Sequence, residues 1–197
     1  MAVVTTPRVI VFDIETTSGG GRGRLDTDSM ELTVVGLYDS ADGSYKSYLR
    51  SELAQLWPIF EGADLIVGYN SDSFDIPLLN RYYPGDLTRL TSLDLMTEVQ
   101  QVLGRRLRLD NLARATLGRG KTGDGLKAIA WWEQGLYDKV REYCLEDVRL
   151  TKELYDYALA KGSLKYKDLR DTKEIKLDTK HWQGGSTGAA MTHALPL

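Results

Sequence analysis

Apolar residues in this chain occur first in short β-branched runs and later in helical stripes, and that change of period sets the expected architecture. Val9, Ile10, Val11 and Phe12 form a continuous apolar run closed by acids, the pattern of a strand buried on both faces. Residues 32–38 and 44–49 read as two more strands, joined by Asp39-Ser40-Ala41-Asp42-Gly43, whose Asp-Gly end suits a hairpin. From Ser51, a good capping residue, Leu53, Leu56, Trp57 and Phe60 recur on one helical face up to about residue 61. A short strand over 64–68, a short helix over 76–83 stopped by Pro84-Gly85, and a strand over 87–93 follow. Helical patterns then run over about 94–103, 109–117 and 125–134, and the longest helix is predicted at 137–161. Three strands, a helix, a strand and then mostly helices describe an α/β domain with a mixed sheet flanked by helices.

The pattern changes past Gly162. Leu164-Lys165-Tyr166-Lys167 and Glu174-Ile175-Lys176-Leu177-Asp178 alternate around Arg170-Asp171-Thr172-Lys173, so a β-hairpin appendage is expected over 163–182. Residues 183–197, rich in Gly, Ala, Ser and Thr, read as a flexible tail, and 1–7 as a short N-terminal one. Residues 18–24 carry four glycines and two arginines, a mobile-loop composition. The main domain is therefore expected at 8–162.

Charge and rare residues narrow the chemistry. A formal net charge of −3 over 197 residues excludes a polycation, so nucleic-acid contact would need a local basic patch. Cys144 is the single cysteine, which rules out an internal disulfide and a CxxC zinc site and fits a reducing cytoplasm. His181 and His193 are the only histidines, too few and too late in the chain for a histidine-rich metal centre. No apolar run reaches membrane-spanning length and no signal peptide opens the chain, so a soluble cytoplasmic protein without membrane contact is expected.

Acids supply the candidate chemistry. Asp13 and Glu15, two apart on the first strand, share a face where it ends. Burying such a pair is costly unless something cationic lies between them. Asp75 follows a short strand and loop; it also suits a helix N-cap before Ile76-Pro77, and the two roles are compatible. Tyr143 and Asp147 are four apart on the longest helix, beside the apolar stripe of Val140, Cys144, Val148 and Tyr155. If the four carboxylates meet within about 5 Å, each pair repels by roughly 3 kcal/mol at an effective dielectric near 20. Divalent cations remove that penalty, and a pair of them clamping a phosphate is a recurrent arrangement for phosphodiester hydrolysis.

Phe12-Asp13-Ile14-Glu15-Thr16, then Tyr69-Asn70-Ser71-Asp72-Ser73-Phe74-Asp75-Ile76-Pro77, then Tyr143-Cys144-Leu145-Glu146-Asp147 resemble the three exonuclease motifs of the DEDD superfamily. Within it they resemble the proofreading domain of family B DNA polymerases and its stand-alone or helicase-associated relatives, over about residues 8–160. One branch carries a histidine five residues before the last Asp and the other a tyrosine four before it; Glu142 and Tyr143 match the tyrosine branch. The resemblance implies a ribonuclease H-like fold and a 3′ to 5′ exonuclease. It implies catalytic Asp13, Glu15, Asp75, Tyr143 and Asp147, with the four acids binding two Mg²⁺ or Mn²⁺ ions and Tyr143 orienting the attacking water. Substrate contacts are expected from Thr16, Asn70, Phe74 and Lys121. Asp72 competes by proximity, but the Phe-Asp-x-Pro frame selects Asp75. The expected partner is nucleic acid, with single-stranded DNA favoured over RNA. Nothing resembles a polymerase palm, so action alone or with a polymerase or helicase chain is expected. The alternative is an inactive nucleic-acid-binding module of the same fold, which the complete set of acids disfavours.

Gly118-Arg119-Gly120-Lys121-Thr122 mimics a phosphate-binding loop, but Ala115 stands where that motif needs glycine, and a helix ending at Gly118 precedes it instead of a strand. The same region holds the densest basic stretch, Arg105, Arg106, Arg108, Arg114, Arg119 and Lys121, a candidate rim for a phosphate backbone. Arg22 and Arg24 are weaker candidates. Tyr82, Tyr83, Trp131 and Trp132 are candidates to stack bases.

Overall fold

The computed structural model describes residues 6–17, 29–121, 123 and 125–182. The apolar run forms β1 (Val9–Thr16), which pairs antiparallel with β2 (Leu32–Asp39), itself antiparallel to β3 (Ser44–Leu49). On the other side of β1, β4 (Leu65–Gly68) runs parallel, followed by parallel β5 (Ser92–Asp94), so the sheet order is β3-β2-β1-β4-β5. This is the α/β architecture with a mixed sheet expected from the pattern. Among the described residues, no helix is long and apolar enough to cross a membrane.

β1 is continuously apolar because helices cover both its faces. Ile10, Phe12 and Ile14 pack against α1 (Leu53–Glu61) and α2 (Asp75–Asn80). Val11 points the other way, into a core shared with α3 (Leu95–Leu103), α4 (Leu109–Leu117) and α6 (Tyr137–Lys161). Residues two apart on a strand share a face, so Asp13 and Glu15 project on the side of Val11, toward α6. There α6 lies so close to β2 that a Cβ on Gly36 would stand 2.9 Å from Cys144 Sγ and 3.2 Å from Val148 Cγ2. A shorter helix, α5 (Gly125–Glu133), precedes α6 and packs on it.

α6 stops at Gly162, which takes the left-handed conformation (φ +64°), and the chain returns as β6 (Ser163–Asp168) and β7 (Asp171–Lys176). This hairpin does not hang free. Leu164, Tyr166, Ile175 and Leu177 are buried in the same cluster as Leu112 and Leu154, with Trp182 stacked on Tyr155. Side chains of α4 complete the edge of β6: Thr116 Oγ1 donates to the Lys165 carbonyl and accepts its N–H, both at 2.9 Å. Asn111 does the same for Lys167, donating at 3.0 Å and accepting at 2.9 Å. An edge strand covered in this way has no free ladder to offer another chain.

Local side-chain bonds displace several predicted boundaries. Residues 87–93 are not one strand, because Asp86 accepts from the N–H and hydroxyl of Thr88 at 3.1 and 2.6 Å and winds Leu87–Arg89 into a 3₁₀ turn. The first helix starts at Leu53 after a 3₁₀ turn, Arg50–Glu52; Glu52, not Ser51, holds the entry, accepting from the Leu49 N–H and from Arg141, each at 2.7 Å. α2 ends at Asn80, whose side chain accepts the Leu87 N–H at 2.7 Å and closes the following loop.

The contact of α6 with β2 carries a prediction. Gly36→Ala should destabilise the protein by about 1–3 kcal/mol, because the added methyl overpacks a seam with no slack. Urea denaturation measures it as a lower midpoint at unchanged slope.

Candidate active site

The acids converge because several elements end at one place. The β1–β2 register shifts between Glu15 and Thr16, so the ladder breaks beside the paired acids. α6 presents Tyr143 and Asp147, both buried, one turn apart over the same strand end. Beyond β4 the chain loops into α2, whose first residue is Asp75. The backbone N–H groups of Asp75 itself and of Ile14 on β1 favour its charged form, against the burial that raises its pKa. Asp13, Glu15, Asp75, Tyr143 and Asp147 line one cavity of about 170 Å³ together with Asn70, Phe74 and Lys121.

The loop before Asp75 is held by Asp94, at the junction of β5 and α3. Its buried carboxylate accepts the N–H groups of Asn70 (2.8 Å), Asp72 (3.3 Å), Met96 (2.9 Å) and Thr97 (3.4 Å). Asn70 is thereby fixed with φ +66°, a left-handed conformation that asparagine tolerates better than most residues. The Tyr69 hydroxyl donates to the Leu107 carbonyl at 2.7 Å and anchors the loop's other end. Asp72 faces away and accepts from Ser92 Oγ at 2.9 Å, so Asp75 is the acid in the cavity.

Burial is the first influence on every acid of the site, and neighbouring charges add to it. Burial, then Asp147, Asp75 and Glu15, push the Asp13 carboxyl well above its usual range. Burial and Asp147 push Glu15 up to about 8, and burial pushes Asp75 up to about 7. Burial also raises Asp147. Among the described residues, one cation lines the cavity with them: Lys121 Nζ lies 2.5 Å from Asp147 Oδ2. Burial opposes the lysine's charge, but Asp147 and Asp13 outweigh it and hold its pKa above the ordinary value.

The donors fit a hard divalent cation. Asp147 Oδ1 is buried without a hydrogen-bond partner among the described residues, a carboxylate oxygen able to ligate. Asp13, Glu15 and Cys144 each place a ligand atom within 4.8 Å of the others. Cys144 Sγ is 3.4 Å from the Asp13 carbonyl oxygen, and burial followed by Asp13 pushes its pKa far up, so it remains a thiol. The charged ligands are then all oxygens, the set that suits Mg²⁺ or Mn²⁺. Burial likewise raises the Tyr143 phenol above its ordinary value and keeps it neutral; the edge of Trp131 braces it with ring centroids 6.1 Å apart.

Other candidates divide. Thr16 lies outside the cavity, its hydroxyl turned to Met30 Sδ at 3.9 Å. Arg105 pairs with Asp168 and packs on Tyr166, and Arg119 pairs with Glu153, so both serve the fold. Arg106, Arg108 and Arg114 instead line a wider groove of about 760 Å³ that opens beside the cavity and shares Tyr69, Asn70, Lys121 and Tyr143 with it. Tyr82, Tyr83 and Trp132 pack against neighbours: Tyr82 accepts the Leu32 N–H, Tyr83 lies on Trp57 and Trp132 lies on Tyr137. Arg22 and Arg24 fall outside the described residues. Gly118 ends α4 with φ +75°, as a helix stop and not a phosphate loop. Asp94 was missed by the motif reading, although Asp immediately before an amphipathic stretch is an N-cap signal.

Comparison with known proteins bears on this arrangement. The RNase H superfamily model matches residues 10–159. DNA polymerase 1 of Aeropyrum pernix is 27% identical over an alignment of 177 residues that covers 75% of this chain and 18% of that polymerase. The family B DNA polymerase of Pyrobaculum calidifontis superimposes with a TM-score of 0.60 at 22% identity, over 78% of this chain and 24% of the polymerase. The chain thus spans about a fifth to a quarter of the length of these relatives. The sheet order, its flanking helices and the matched span place this chain in the RNase H superfamily, with a ribonuclease H-like fold.

Proposed function

We propose that the chain is a metal-dependent 3′ to 5′ exonuclease of the tyrosine branch of the DEDD superfamily, acting on single-stranded nucleic acid, DNA in preference to RNA. One observation carries the reading: Asp13, Glu15, Asp75 and Asp147 share a cavity with Tyr143 and, among the described residues, with a single ammonium, Lys121. That excess of negative charge suits two divalent ions and little else. The similarity to DNA polymerases supports nucleic acid as the substrate class.

Asp13, Glu15, Asp75 and Asp147 would hold the ions. Bound divalent ions supply Lewis-acid stabilisation of a phosphodiester and water of lowered pKa. The neutral Tyr143 phenol orients the attacking water by hydrogen bonding and does not act as a base. Asn70 and Phe74, on the loop that Asp94 fixes, hold the 3′-terminal nucleotide by hydrogen bond and apolar contact. Lys121 offers its ammonium to a phosphate oxygen. Thr16, turned to Met30, leaves this contact set. Arg106 and Arg108, on the adjoining groove, attract the strand's backbone.

End-labelled single-stranded DNA, single-stranded RNA and duplex, incubated with Mg²⁺, Mn²⁺ or EDTA, test the proposal directly. Mononucleotides released stepwise from the 3′ end, with metal only, are expected; endonucleolytic fragments or turnover in EDTA contradict it. Asp13→Ala and Asp147→Ala should each take hydrolysis below detection in this assay. Tyr143→Phe should slow hydrolysis by roughly 10²-fold, the order of a lost proton-positioning group, while calorimetry shows Mn²⁺ affinity nearly unchanged.

Stability should report the same crowding. A carboxyl whose pKa rises on folding binds more protons folded than unfolded between the two values, so raising pH across that interval destabilises the fold. Glu15 and Asp75 set the interval from the ordinary carboxyl range, about 4, to about 7–8. In EDTA the melting temperature should therefore fall as pH rises through this window, and saturating Mn²⁺ at the upper end should restore it. A melting temperature indifferent to pH in EDTA would count against the crowded site.

A further inference from the structure

The Lys121 side chain is aimed from a backbone that another pair of residues grips. Beyond Gly118 the chain turns back along α4, and Asp110 and Arg114, one helical turn apart, meet it. Asp110 Oδ1 accepts the Lys121 N–H at 2.8 Å, and Arg114 Nη2 donates to the Lys121 carbonyl at 3.3 Å. Arg114 Nε donates to Asp110 Oδ2 at 2.7 Å, which locks the two into one unit. The approach is so close that a Cβ on Gly120 would stand 2.2 Å from Asp110 Oδ1 and 2.7 Å from Arg114 Cγ. Glycine at 120 is therefore a requirement of the grip. From this anchored backbone the lysine reaches across to Asp147 Oδ2 at 2.5 Å, joining a surface ion pair on α4 to the buried cavity.

We propose that Asp110 is a positioning residue of the active site: with Arg114 and Gly120 it latches the Lys121 backbone to α4, so that the ammonium stands over Asp147. The proposal rests on the reading of the cavity as a nuclease site. A lysine side chain loses more rotamer freedom than most when fixed, and a loop backbone loses conformational freedom at each residue that is held. The latch removes the backbone share beforehand, leaving only the side chain to order. In the metal-free site the positioned ammonium is the counter-charge of Asp147; with substrate present it meets a phosphate. The competing account is that Asp110 merely stabilises the first turn of α4 through the helix dipole. Gly120 separates the two, since it carries no charge and lies outside that turn.

The test is a cycle of Asp110→Ala, Gly120→Ala, Lys121→Ala and the double variants with Lys121→Ala, read in two ways on the full chain without nucleic acid. Calorimetry with Mn²⁺ should show Lys121→Ala binding the ion several-fold, up to about tenfold, more tightly, since a competing cation has left Asp147. Asp110→Ala and Gly120→Ala should each move the affinity the same way by less, and neither should add anything once Lys121 is absent. Asp110→Asn, which keeps an acceptor for the Lys121 N–H, should stay nearer to wild type. In EDTA, amide hydrogen exchange at residue 121 should be about tenfold faster in Asp110→Ala and Gly120→Ala than in wild type. Equal effects of Asp110→Ala with and without Lys121, or an amide still protected in both latch variants, overturn the proposal. Should Asp110→Ala fail to fold, Gly120→Ala decides. A wild-type chain that binds no Mn²⁺ sinks the nuclease reading instead, and the exchange arm alone then decides the latch.

Discussion

Burial of Asp13, Glu15, Asp75 and Asp147 beside one another, with desolvation first and mutual repulsion second, is the constraint around which the rest of this molecule is arranged. Two unit charges about 5 Å apart cost about 3 kcal/mol at an effective dielectric near 20, a sizeable part of the stability of a small domain. The anions stay together because each sits on an element that cannot move alone. Asp13 and Glu15 close the central strand, which is covered on both faces. Asp147 lies on the 25-residue α6, pressed onto β2 where only glycine fits. Asp75 opens α2, whose Ile76, Leu78 and Leu79 share the core of Ile10, Phe12 and Ile14 on β1.

Packing remote from the cavity serves the same end. The hairpin of β6 and β7 buries Leu164, Tyr166 and Ile175 against the helices and is stitched to α4 by Asn111 and Thr116. It thereby braces α4 and the far half of α6 as one body. Trp182 extends the brace to α3, donating to Glu98 at 3.1 Å while stacking on Tyr155. α3 in turn starts at Asp94, whose carboxylate sets the loop bearing Asn70. An apolar contact near the C-terminal hairpin is in this way linked, through rigid elements, to the geometry of the cavity.

Charge of the opposite sign is rationed. Several arginines of the basic stretch are consumed by ion pairs with Asp168, Glu153 and Asp110, so the positive field beside the acids is narrower than the composition implies. Among the described residues, those that line the cavity and the adjoining groove include Lys121 in the first and Arg106 and Arg108 in the second. A lone ammonium cannot neutralise the four carboxylates, and this shortfall is what a divalent ion would make good.

Much of this was legible in the sequence wherever a local rule applied. The apolar run ending in Asp13 and Glu15, the Tyr143 and Asp147 spacing on one helical face, Gly118 and Gly162 as helix stops, and the limits of α6 all follow from period, spacing and backbone preference, which act over a few residues. Tertiary structure decided what lies across from what. Lys121 meets Asp147 across 26 positions of chain, and Arg8 meets Asp39 across 31, separations over which no periodicity carries information. The same holds for Asp94 gathering the N–H groups of the Asn70 loop, for Thr16 turning to Met30, and for the hairpin entering the main core. Residues 87–93 read as one strand by composition, but 87–89 became a turn and the strand starts only at Ser92, because the Asp86 side chain offered Thr88 a nearer hydrogen-bond partner than the sheet did. Faces and spacings are written locally; which faces meet is settled by burial and by which polar groups find partners, and those are properties of the assembled chain.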